Sequence, residues 1–168
     1  ALPRVDRQRR VTARVMLYRL EVDVEMYHFK PYLMPITQLG GLQLDLPSLV
    51  GMERFSQPAD YEAYLERLRG LELLFNQTMT LMATGVYERI TPPRVILDPV
   101  ADQIRAQIVS DATESPFYRP FTQFPDAVPS AQRAQLASQG LALVRDVVVP
   151  CYQRLLDYWT NEYLPSCR

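Results

Sequence analysis

The sequence predicts an all-α fold: an irregular helical bundle with a long C-terminal helix kinked by proline. Apolar residues recur at steps of three and four along most of the 168-residue chain, which is the spacing of one helix face. Capping residues and prolines stand where that period starts and stops. No pair of alternating apolar runs flanks a tight-turn dipeptide, so no hairpin is expected, and no internal repeat is present.

The first helix is expected over residues 5 to 29, starting at Val5. Val11, Val15, Tyr18, Val22 and Met26 form its apolar stripe, while Arg14, Arg19, Glu21, Asp23 and Glu25 occupy other faces. Val22-Asp23-Val24-Glu25 alternates as a strand would. The helical period on both sides outweighs it, and Pro31 limits continuation. Residues 30 to 57 read as a connector with one short helix near 46 to 51, for which Asp45 is the N-cap. Ser56 caps the next helix, with Pro58 near its start and Asp60 and Glu62 in its first turns, matching the helix dipole. Its stripe is Tyr61, Tyr64, Leu65 and Leu68, and Gly70 marks a break. A following helix carries Leu71, Leu74, Phe75, Thr78, Met79 and Met82 and ends near Gly85.

Thr91 caps a further helical segment that runs to about Val109 on Val95, Ile96, Val100, Ile104 and Ile108. Pro99 kinks or divides it. In SPFYRPFTQFPDAVP, residues 115 to 129, four prolines and four aromatics replace the helical period. This is a surface-draped loop pinned by Phe117, Tyr118, Phe121 and Phe124, and loops of this length are functional or ordered against the rest of a fold. The longest helix then runs from Ser130 to about Leu164. Leu136, Leu143, Val147, Cys151, Leu155 and Tyr158 lie on its stripe, with Val144, Val148 and Trp159 beside it. Pro150 kinks it, because the i−4 hydrogen bond is lost there.

Composition bounds the function only loosely. Hydrophobic residues make up 48% and charged residues 22%, an ordinary globular balance. One domain or lobe of this length buries a real core. The net charge of -1 gives no electrostatic drive toward nucleic acid or an anionic membrane, and no apolar run reaches the roughly 20 residues of a membrane span. The start ALPRVDRQRR lacks the apolar core of a signal peptide. Cys151 and Cys167, on one helix, stand roughly 24 Å apart, too far for an internal disulfide.

No active site stands out from residue types and spacing. His28 is the only histidine, at a helix end where it bonds nearby carbonyls, and a zinc site of the usual kind needs more donors than this. Glu21 with Glu25, and Glu62 with Glu66, share helix faces as acid–base pairs do. Arginines lie among them, so they read as solvated, ion-paired faces. Gly40-Gly41 follows no strand and precedes no Lys-Ser or Lys-Thr, so it is not a phosphate loop.

Three stretches carry a resemblance: PITQLGGLQLDLP at 35 to 47, DYEAYLERLRGLELLFNQTMTLMATGV at 60 to 86, and VVPCYQRLLDYWTNEYLPSCR at 148 to 168. In this order the chain resembles the N-terminal portion of the bacterial family catalogued as domain of unknown function 885. That family shows a P-x-N-Q-x-x-G segment, a D-Y-x-x-Y-L-x-R-L helix, and a V-x-P-A-Y-x-x-L helix ending in E-Y-L-P-x-x-R. Pro35, Gln38 and Gly41 or Gly40 match the first, with Thr37 in place of asparagine. Asp60, Tyr61, Tyr64, Leu65, Arg67 and Leu68 match the second. Pro150, Tyr152, Leu155, Glu162, Tyr163, Leu164, Pro165 and Arg168 match the third, with Cys151 in place of alanine.

The resemblance implies a large helical zinc-metallopeptidase-like protein whose H-E-x-x-P-G-H-type segment lies downstream of the third motif. That segment is not among these residues. No catalytic, cofactor or metal residue is therefore carried over, and zinc is expected in a C-terminal part. The expected role is a helical scaffold and cleft wall of a peptidase-like hydrolase, not catalytically competent alone. Its expected partners are the remainder of its own polypeptide and a peptide substrate. Gln38, Gly40 and Gly41 are the candidate cleft or inter-lobe contacts. The alternative is a non-enzymatic helical module that binds a protein or peptide. As one lobe of two, the chain would leave stripes such as Leu71, Leu74 and Phe75 partly uncovered and would self-associate. A cytoplasmic or an exported bacterial protein, periplasmic or lipid-anchored, fits equally.

Overall fold

The computed structural model describes residues 6–168. In chain order the helices are α1 (Arg7–Tyr27), α2 (Leu42–Met52), α3 (Pro58–Glu88), α4 (Val100–Arg105), α5 (Ser130–Leu143) and α6 (Val149–Tyr158). Within these residues the extended pairing is a single isolated bridge, Thr37 to Gly40. The fold is all-α.

Helix α3 begins because Asp60 reaches back over its first turn. Its carboxylate accepts the backbone N–H of Ser56 at 2.8 Å and of Gln57 at 3.0 Å, which satisfies donors that a helix start leaves free. The N-cap position is Gln57, not Ser56 as the sequence suggests. These bonds, Ser56 first, hold the Asp60 carboxyl below its ordinary range. The expected break at Gly70 does not occur. Tyr61, Leu65, Leu68, Leu71, Phe75 and Met82 continue one buried stripe across it, and that burial outweighs the roughly 1 kcal/mol a mid-helix glycine costs.

The same stripe corrects the expectation of uncovered apolar residues on this helix. Leu71 and Phe75 are buried, Phe75 edge-on to Tyr152 with ring centroids 4.9 Å apart. Of the three expected to be uncovered, Leu74 does turn outward, and Leu73 and Leu81 of the same helix are exposed as well. The cover is the C-terminal ribbon, which runs through α5, a π turn at Val144–Val148, α6, a second π turn at Trp159–Tyr163 and a 3₁₀ turn at Leu164–Ser166. The first π turn stands directly before Pro150. Its wider hydrogen-bond spacing takes up the missing N–H without ending the helix. Each π turn adds a residue, so the buried face shifts. Val144, Val148 and Trp159 are fully buried, while Leu143, Val147 and Tyr158 are only partly so.

Segment 111 to 129 runs over the surface and is pinned by its aromatics as expected, though two 3₁₀ turns, Ala112–Glu114 and Arg119–Phe121, replace a fully extended path. Phe117 and Phe121 are buried, and the Tyr64 hydroxyl donates to the Phe117 carbonyl at 3.0 Å. Phe124 lies 4.9 Å from Tyr61, and Phe55 lies 5.0 Å from Tyr61. Gly140 of α5 lets the Phe121 ring in. A Cβ there would come within 2.4 Å of the ring edge.

Two further expectations are corrected. Thr91 does not cap a helix: it is buried, and its carbonyl accepts the Arg168 guanidinium at 3.3 Å. The segment after it splits at Pro99 into a 3₁₀ turn, Arg94–Leu97, and α4. The short helix in the connector starts earlier than expected, at Leu42, with Gly41 at its N-cap position. Asp45 still serves that start from inside the helix, accepting the Gly41 N–H at 2.9 Å.

Helix α1 forms as expected, capped by Asp6, which accepts the Gln8 N–H at 3.3 Å. The expected start at Val5 lies outside the described residues. The helix buries no residue, and Val11, Val15, Tyr18 and Met26 of the predicted stripe are exposed, with Val22 half-buried. Lys30, with φ 52°, turns the chain sharply away from it. An ion pair from Lys30 to Glu88 and a Tyr27–Tyr32 ring stack at 5.1 Å hold its C-terminal end.

Two glycines should respond oppositely to alanine. Gly140→Ala drives a methyl into a buried ring and should destabilise by about 1–3 kcal/mol. Gly70→Ala meets open space and should stabilise by about 1 kcal/mol. Urea unfolding reads both. Acid unfolding tests Asp60: its lowered native pKa contributes stability above the ordinary carboxylate range, lost as pH falls through the native value. Asp60→Asn should therefore lower the melting temperature at neutral pH and flatten its fall in acid.

Candidate functional site

The uncharged stretch that opens the first family-like motif is held by two side-chain amides, one buried and one half-buried. Gln43, fully buried in the first turn of α2, donates from Nε2 to the Thr37 carbonyl at 2.8 Å and to Gln103 Oε1 at 3.2 Å. Gln103 on α4 donates in turn to the Gln38 carbonyl at 3.1 Å. The Thr37 N–H closes the loop on the Gly40 carbonyl at 2.9 Å. Buried polar groups need partners; the loop backbone supplies them for Gln43 Nε2, while Gln43 Oε1 is buried without one. The Tyr152 hydroxyl donates to the Leu42 carbonyl at 2.9 Å, tying the start of α2 to α6.

The two glycines differ. Gly41 has φ 125°, and a Cβ on it would meet Gln43 Oε1 at 2.7 Å and the Ile36 Cα at 3.0 Å, so only glycine fits without strain. Gly40 has open space around its Cβ position, so the tight backbone path requires glycine at Gly41 and not at Gly40. At the loop tip Leu39 is 87% exposed, and Gln38 is half-buried. The structure thus brings Gln38, Gly40 and Gly41 together on one braced loop. Gln43 and Gln103 were not legible as its anchors. The only signal for Gln43 was a neutral polar residue among leucines, and Gln103 lies sixty positions away.

The larger concavities lie elsewhere. A groove of about 590 Å³ between α3 and α5 is lined by Glu62, Glu66, Arg69, Gln132 and Gln139, and the Glu66 carboxylate pairs with Arg69 at 2.5 Å. A second, of about 440 Å³, is lined by Asp111, Arg145, Pro150 and Gln153. The Arg145–Asp146 pair holds the Asp146 carboxyl low. Burial pushes the Cys151 thiol up, with Arg154 offsetting part of it, so this free cysteine is not an activated nucleophile. Burial likewise raises Tyr64 and Tyr152, which act as hydrogen-bond donors.

The donor set does not fit zinc. Among the described residues no three His, Cys, Asp or Glu side chains come together in a way that could hold a metal ion, and zinc takes about three protein ligands. Among the same residues no helix is long and apolar enough to cross a membrane.

Gly41→Ala should strain the loop and speed amide exchange over residues 37 to 41, whereas Gly40→Ala should leave that exchange unchanged. Gln43→Leu strands the Thr37 carbonyl and the Gln103 amide and should cost about 1–3 kcal/mol in urea unfolding.

A family model described as "Bacterial protein of unknown function (DUF885)" matches residues 2–168. No curated protein and no solved structure matches the chain.

Proposed function

We propose that this chain, which belongs to the DUF885 family of bacterial proteins, is a helical scaffold and cleft-wall region of a zinc-dependent peptidase-like hydrolase. The metal ligands and general base are then carried by another part of the same polypeptide. The observation that carries this reading is the braced loop. The side-chain amides of Gln43 and Gln103 fix residues 37 to 41 while Leu39 at the tip is almost wholly exposed. A loop held that firmly with an exposed apolar tip is preorganised for a contact outside the chain. An extended peptide substrate offers that contact: apolar side chains for Leu39, and backbone amides for the Gln38 carboxamide.

A second reading, a non-enzymatic helical module that binds a protein or peptide, is favoured by α1. Its exposed apolar residues serve no core within the described residues.

Two measurements test the hydrolase reading. The 168-residue chain in equilibrium dialysis should take up no zinc, and stoichiometric uptake would move the metal site into this region. In the complete polypeptide, a photoreactive residue in place of Leu39 should crosslink to a bound peptide substrate. Turnover of peptides with no crosslink from that position would remove the loop from the cleft wall.

A further inference from the structure

Helix α1 carries apolar residues on two opposite sides. On one side lie Val11, Val15, Tyr18 and Val22. On the other, Ala13, Leu17, Leu20 and Val24 recur at steps of four, three and four, the spacing of a coiled-coil seam. The first side includes the half-buried Val22. The second is open to solvent throughout, with Leu17, Leu20 and Val24 exposed by 57%, 51% and 68%.

The charges on the same helix are segregated along its axis. Arg7, Arg9, Arg10, Arg14 and Arg19 fill its first part, and Glu21, Asp23 and Glu25 its last. Its first turn holds no acid and its last turn no base. This order opposes the helix dipole, which favours acids at the start and bases at the end. The charges therefore do not serve the isolated helix. They suit an antiparallel neighbour with the same order, because its acidic end lies beside the arginines and its dipole runs the opposite way.

We propose that the Leu17–Leu20 side of α1 is a homodimer seam, on which α1 of a second copy of this chain docks antiparallel. Setting Leu17 against Leu20 of the second copy puts Ala13 against its Val24. The two-fold axis then falls between residues 18 and 19. In the same register Arg14 lies beside Glu21 of the second copy, once on each side of the axis. Parallel pairing would set arginine against arginine along half the helix. A membrane surface would be met by a helix with acids and bases on it and no single apolar face. The proposal holds whether or not the chain is part of a hydrolase.

Sedimentation velocity over a concentration series is expected to read a monomer–dimer equilibrium. Leu20→Asp should leave only monomer without lowering the melting temperature, since Leu20 is exposed and belongs to no core in the monomer. Arg14→Glu and Glu21→Arg should each weaken the dimer about tenfold or more, by setting like charges together. The double variant Arg14→Glu/Glu21→Arg should recover most of that loss, because the pair is restored with its sign reversed. A chain that stays monomeric throughout overturns the proposal and leaves α1 to another occupant, such as the rest of its polypeptide. Dimers indifferent to Leu20→Asp, or a double variant no better than the singles, overturn it equally.

Discussion

The uninterrupted burial of one face of α3 is the constraint on which the rest of the fold rests. Helix α3 presents a single stripe from Tyr61 to Met82, all of it in the core. A stripe of that length cannot be covered by one short helix, and the C-terminal ribbon from α5 through the second π turn supplies the matching length. Aromatic pairs mark the two ends of the seam. Phe55, Tyr61, Tyr64, Phe121 and Phe124 cluster at the start of α3, and Phe75 meets Tyr152 further along. Once α3 and the ribbon are fixed, α2 and the 111 to 129 segment have little freedom. The hydroxyls of Tyr152 and Tyr64, each buried against the core, fix a backbone carbonyl in each.

Proline and glycine show how packing overrides local preference in this chain. Gly70 has every local reason to end a helix, yet it stands in the middle of α3 because the residues on both sides continue one buried face. Pro150 has every reason to break the ribbon, yet the ribbon passes through it by loosening one turn into π geometry. The loosening has a consequence along the sequence. A period of 3.6 counted from Leu136 points to Leu143 and Val147, while the residues in the core are Val144 and Val148. A constant period cannot anticipate an inserted residue.

The braced loop was legible as an anomaly and not as a mechanism. PITQLGGLQLDLP stood out for its lack of charge and its paired glycines, and Gly41 does sit where only glycine fits. The partners that make the loop rigid, Gln43 and Gln103, are amides of no local distinction. They meet because α2 and α4 pack side by side, a relation that depends on two separate elements reaching α6 and one another. Of the chemistry considered from the sequence, Glu62 and Glu66 do share a groove, and Glu66 is ion-paired there as expected.

The sequence by itself determined the all-α class, the buried stripe of α3, the aromatic anchors, the kinked C-terminal ribbon and the family. These follow from periodicity and from residues whose preferences are local and strong. Tertiary structure alone decided whether a break signal at Gly70 was obeyed, which face of the ribbon turned inward past Pro150, and which amides hold the loop. It also decided that α1, whose pattern reads as readily as that of α3, covers no core. A helical pattern tells which residues need burial, while the surface that buries them is set by the arrangement of everything else.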